Sequence, residues 1–116
     1  MSDEINLQSF AKLPVSKITN KPVLHFAHAN GMPSAVYEPF FEGLSEFFTI
    51  EYIAMLGDTP DYPVDDHWRS LTQQIIDSVN SACKKHGVAQ VVGLGHSLGA
   101  MCTLQATYRQ PELFAQ

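Results

Sequence analysis

The chain has 116 residues, 45% of them hydrophobic and 16% charged, with a formal net charge of −5. That is enough for one small globular domain and too little for two, and the acidic balance argues against nucleic acid or an anionic membrane as a partner. The opening stretch MSDEINLQSF is acidic and mixed, unlike a secretory signal, and no apolar run is long enough to cross a bilayer.

Taken in chain order, residues 1–20 are polar and irregular, with a short edge strand expected around Leu13–Ile18. PVLHFAHA, residues 22–29, reads as a buried strand because β-branched and aromatic residues follow an opening proline. The turn cluster NGMPS ends it, and Ser34 is placed to cap the helix that follows. Val36, Phe40, Phe41, Leu44 and Phe47 recur at helical spacing and predict one apolar face. FFTIEYIAM, residues 47–55, predicts a second strand closed by Gly57, Asp58 and two prolines. A long helix is expected from about Asp65 to His86, with Trp68, Leu71, Ile75, Val79 and Cys83 as its stripe. Asp65 and Asp66 suit its positive end, while Lys84, Lys85 and His86 suit the negative one. VAQVVGL, residues 88–94, predicts a third strand, and a last helix starts near Ser97 and fades before Pro111. Alternating strands and helices imply a parallel sheet with helices on both faces, an α/β fold. Cys83 and Cys102 fall in helices without metal-type spacing and read as reduced core residues of a cytoplasmic protein.

Between the third strand and the last helix lies Gly95-His96-Ser97-Leu98-Gly99. A serine between two glycines at a strand-to-helix junction is the context of the nucleophile elbow. A turn this sharp strains the serine backbone and brings strand and helix together, so the flanking positions have no room for side chains. The hydroxyl of Ser97 is then exposed above the sheet, and the amide of Leu98 points at the same spot as a first oxyanion donor. A second donor is expected from His28-Ala29-Asn30-Gly31-Met32-Pro33, at the end of the first clear strand.

The elbow together with the HANGMP loop, in this order, resembles the α/β-hydrolase superfamily from about Val23 to Phe114. The helix carrying YEPFFEGL and the stretch GHSLGAMCTLQATYRQPELF look like a bacterial serine-hydrolase subgroup. The resemblance implies Ser97 as nucleophile, with the backbone amides of Asn30 and Leu98 as the oxyanion hole and Gly95 and Gly99 as the elbow glycines. It implies a small ester-like acyl substrate and neither metal nor organic cofactor. Met55-Leu56-Gly57-Asp58-Thr59-Pro60 departs from the glycine-histidine-glycine-serine type of loop that many relatives carry after their second strand.

In that family a carboxylate and then a histidine follow the serine in the chain. After Ser97 the sequence offers Glu112, too close to the elbow helix to serve, and no histidine. The sequence therefore reads as the N-terminal portion of one such domain, lacking the C-terminal strands. None of the five histidines fills the gap: His96 reads as packing, His28 as a brace for the oxyanion loop, His25 as a satisfied core residue, and His67 and His86 as solvated helix ends. No pair of them has zinc-ligand spacing on a helix, and Asp58, Asp61, Asp65 and Asp66 read as a solvated acidic loop. In that family's strand order the third strand is central and flanked on its far side by a strand that this sequence lacks, so its far edge is expected to be open and apolar, which predicts self-association or pairing with a C-terminal fragment.

Three other readings are weighed against hydrolysis. An acyltransferase would share the elbow and differ in what attacks the acyl-enzyme. A dinucleotide loop needs G-x-G-x-x-G, and position 98 is leucine. The missing histidine also suits a non-catalytic interaction module.

Overall fold

The computed structural model describes residues 21–57 and 60–115. Strand β1 spans Val23–Ala27 and is buried throughout. A 3-10 turn over Ser34–Tyr37 leads into helix α1, Glu38–Leu44, and then into strand β2, Thr49–Tyr52. Helix α2 runs Arg69–His86 behind a 3-10 turn over Asp66–Trp68. Strand β3, Val92–Gly95, is followed by helix α3, Leu98–Arg109, and a last 3-10 turn over Pro111–Leu113. The expected edge strand around Leu13–Ile18 lies outside the described residues.

The three strands form one parallel sheet in the order β2-β1-β3, with Ala27 paired to Gly95 and Phe26 to both Tyr52 and Leu94. The fold is thus mixed α/β, as strand–helix alternation requires. Within this three-stranded sheet β1 is in the middle, and β3 is bordered by β1 alone over residues 92–95 among the described residues, so its far edge is open there as expected. Val91 has a further partner, bonding to the carbonyl of Leu113 and accepting from the amide of Ala115, so the far edge is covered at its first rung.

Alternation along β1 sends Leu24 and Phe26 to one face and Val23, His25 and Ala27 to the other. On the first face they meet Phe41, Phe48 and Leu44 of the α1 side. On the second, α2 and α3 supply Ile75, Val79, Cys102 and Ala106. Helices therefore cover both faces. α1 is shorter than the periodicity predicts: Tyr37 and Phe41 turn inward, while Val36 and Phe40 are exposed. Ser34 does not cap it. Its buried hydroxyl donates to the carbonyl of Ile53, tying the turn to the end of β2.

α2 begins four residues later than expected, because His67 and Trp68 both take left-handed backbone at φ 60° and 57°. Asp65 still serves its first turn, accepting from the amide and hydroxyl of Ser70 at 3.2 Å. His86 at the basic end is pinned rather than solvated. His86 Nε2 lies 2.6 Å from Glu51 of β2 and Lys85 Nζ lies 3.1 Å from the same oxygen. Both cysteines are free, and burial raises the pKa of each thiol. No helix among the described residues is long and apolar enough to cross a membrane.

Candidate functional site

In an open parallel sheet, ligands bind beyond the carboxyl ends of two neighbouring strands whose connections leave to opposite faces. Here those strands are β1 and β3. The chain leaves β1 for α1 on one face and leaves β3 for α3 on the other. Ala27 and Gly95 are partners in the ladder, so the HANGMP loop and the GHSLG turn emerge side by side. The amide of His96 donates to the carbonyl of Ala27 at 3.1 Å, stitching the two exits together.

The turn after β3 is built as its glycines require. The amide of Gly99 donates to the carbonyl of His96 at 3.0 Å, and Ser97 sits at φ 57°, ψ −115°. These are the angles of the first central position of a type II′ turn, which glycine dominates because a Cβ is crowded there. A Cβ added to Gly99 would overlap the carbonyl of Ala27, and one added to Gly95 would lie 2.5 Å from the amide nitrogen of Ala100. Strand and helix are in backbone contact at both glycines. Ser97 occupies the N-cap position of α3, yet its hydroxyl makes no capping bond and the residue is exposed. Helix capping therefore does not account for the side chain.

The loop after β1 is held from three directions. The amide of Leu56 donates to His28 Nε2 at 2.7 Å; since an amide can only donate, the ring proton is on Nδ1, which donates to the carbonyl of Ala29 at 2.7 Å. Ala29 to Met32 closes a β-turn, with Gly31 at φ 76° in the third position. Tyr37 supplies the third hold. Its hydroxyl accepts from the amide of Ala29 at 3.2 Å and shares a hydrogen bond with His96 Nδ1 at 2.9 Å. This hydroxyl bridges the two loops. The ring of Tyr37 is fixed by Phe26, with centroids 4.6 Å apart.

His96 is corrected by this contact. It is an exposed ring bonded to Tyr37, not a packed one. The bridge was not legible in the sequence, because its partners lie 59 positions apart and follow no local period. Asn30 and Leu98 lie on the two loops, one residue beyond Ala29 and Ser97 respectively. Neither amide donates to an acceptor among the described residues.

No described histidine hydrogen-bonds to Ser97. His28 and His96 are committed as above, His25 Nε2 pairs with Ser78 at 2.7 Å, and His86 is paired with Glu51. His67 stands in the turn before α2, beside Arg69 and Arg109. His25 is buried with Nδ1 unpartnered, so it is only half satisfied. Burial drives its pKa down from 6.5 to about 4, against a smaller opposing pull from Glu51. In the acidic loop Asp58 lies outside the described residues, while Asp61 is exposed. No group of three or more His, Cys, Asp or Glu side chains among the described residues is placed to hold a metal ion.

Comparison of the chain with protein-family models gives no match, and comparison with curated proteins gives none either.

Proposed function

We propose that this chain carries the nucleophile and oxyanion half of a serine hydrolase of the α/β-hydrolase type. The observation that carries the reading is Ser97: an exposed, uncapped serine on a strained II′-type turn between β3 and α3, at the crevice where the sheet's connections diverge. An ordinary capping serine needs neither the strain nor two glycines in backbone contact with the neighbouring chain.

In this reading Ser97 Oγ attacks an ester-like carbonyl carbon. The carbonyl oxygen takes the negative charge and accepts from the free amides of Asn30 and Leu98. The tetrahedral centre then collapses, the leaving alkoxide is protonated, and water releases the acid from the acyl-serine. The proton carrier is a histidine held by a carboxylate, and both come from outside the described residues. An alcohol or thiol in place of water would make the same centre an acyltransferase, which acceptor competition separates. A loop for dinucleotide phosphates needs no strained serine, and nothing observed favours it.

The test is intact-mass analysis after exposure to a fluorophosphonate probe. The 116-residue chain alone should remain unlabelled. When polypeptide supplying the histidine and acid is present, one adduct should form on Ser97 and vanish in Ser97→Ala. An adduct elsewhere, or none in the presence of that polypeptide, overturns the reading.

A further inference from the structure

The amides of Asn30 and Leu98 each belong to a peptide unit whose carbonyl is held. A trans peptide is planar, so its N–H points opposite its C=O. The carbonyl of Ala29 accepts from His28 Nδ1 at 2.7 Å and from the amide of Met32 at 3.1 Å, which sets the direction of the Asn30 amide. The carbonyl of Ser97 accepts from the amide of Met101 at 3.0 Å at the start of α3, which sets the direction of the Leu98 amide. Each donor is aimed within its own loop. One oxyanion, however, has to lie about 2.7–3.1 Å from both, so the separation of the two loops must be fixed as well.

Two contacts join the loops. The first is the bond from the His96 amide to the carbonyl of Ala27 at 3.1 Å. The second passes through the hydroxyl of Tyr37, 3.2 Å from the amide of Ala29 and 2.9 Å from His96 Nδ1. Ala29 supplies the carbonyl half of the Asn30 peptide unit, and His96 directly precedes Ser97, which supplies that of Leu98. The bonds of His28, by contrast, go to Leu56 and Ala29 and do not reach the GHSLG turn. Aromatic contacts hold the Tyr37 ring in place: Phe26 at 4.6 Å between centroids, Phe41 stacked at 6.3 Å, and the His96 ring edge-on at 6.0 Å. A phenylalanine ring would meet the same neighbours. The hydroxyl is what packing leaves unexplained.

We propose that Tyr37 is a positioning residue, its hydroxyl setting the separation of the Asn30 and Leu98 amides so that both meet one oxyanion. This role rests on the serine-hydrolase reading. Oxyanion donors act on the transition state more than on the bound ester, so loss of the hydroxyl lowers kcat and leaves KM nearly unchanged. A tyrosine that only stabilised the fold would leave turnover per folded molecule as it is.

Two measurements test it. In the 116-residue chain alone, N–H residual dipolar couplings of Asn30 and Leu98 should change in Tyr37→Phe while those of α2 stay as in wild type. With polypeptide supplying the histidine and acid, hydrolysis of p-nitrophenyl acetate should fall about tenfold in kcat in Tyr37→Phe and in His96→Ala, with KM within about twofold. Circular dichroism corrects each rate for the folded fraction. The double variant should be no slower than the slower single one, because both substitutions open the same bridge. Unchanged couplings at both amides, a wild-type kcat in Tyr37→Phe, a rise in KM alone, or additive losses in the double variant overturn the proposal while leaving the hydrolase reading intact. A wild-type protein that neither turns over the ester nor takes the fluorophosphonate on Ser97 overturns that reading, and the role of Tyr37 with it.

Discussion

Ser97 holds an angle pair that side chains avoid, at a cost of about 1–3 kcal/mol in positions of this kind. Ser97→Gly removes that strain but adds roughly 0.5–1 kcal/mol of chain entropy to be lost on folding. The expected result is a net gain of about 1 kcal/mol in urea unfolding, with Ser97→Ala close to wild type because its Cβ keeps the strain. No gain in Ser97→Gly would mean that the turn is unstrained. Gly99→Ala should act in the opposite direction. Its new methyl meets the backbone of Ala27 and His28, which cannot rotate aside, so a loss of about 3 kcal/mol or failure to fold is expected. Gly93 is confined by side chains instead: an added Cβ there meets the buried Phe114 ring at 2.9 Å and the Thr103 methyl at 3.0 Å.

At the scale of elements, α2 is tied to the sheet by polar contacts at two levels, His25 to Ser78 and His86 with Lys85 to Glu51. Both respond to acid in the same direction. His25 stays neutral in the fold down to about pH 4, whereas the unfolded chain takes up that proton near 6.5. Stability is therefore whole above 6.5 and declines as pH falls from there to 4, by on the order of 3 kcal/mol. Burial works to raise the Glu51 pKa, but the hydrogen bonds and charges of His86 and Lys85 outweigh it and hold the carboxyl below its ordinary 4.5. That contribution is present above 4.5 and is also lost on acidification. Urea midpoints between pH 7 and 4 check this, and His25→Asn should flatten the upper part of the fall. A second contact between elements is the Tyr37 hydroxyl. Tyr37→Phe should cost about 1 kcal/mol and speed exchange of the Ala29 amide, and unchanged exchange would remove the bridge.

For the whole molecule, the sheet order decides what is covered. Val91 points its amide and carbonyl away from β1, toward residues 113–115, and His96 points its amide back to Ala27. Alternation then turns Gly93 and Gly95 outward and Val92 and Leu94 toward β1. Amide exchange should be faster at Gly93 and Gly95 than at Val92 and Leu94 by NMR. Slow exchange at all four would mean that another strand pairs with this edge.

The sequence determined the elements whose signals are local. β1 follows from its apolar run, α2 from its stripe and basic end, and the GHSLG turn from glycines that only a tight strand–helix junction demands. The residues of the candidate site were legible for the same reason: Ser97, Leu98, Gly95 and Gly99 share one turn, and Asn30 ends a recognisable strand. The tertiary structure alone decided the rest. The order β2-β1-β3 depends on which faces the crossovers pack against, not on the order of the residues. Val36 and Phe40 point outward because the chain from Ser34 enters as a 3-10 turn anchored to Ile53, which rotates the apolar stripe onto Tyr37 and Phe41. His86 and His96 found partners on distant elements, Glu51 and Tyr37, and no periodicity along a chain encodes a contact between residues that meet only when the sheet is assembled.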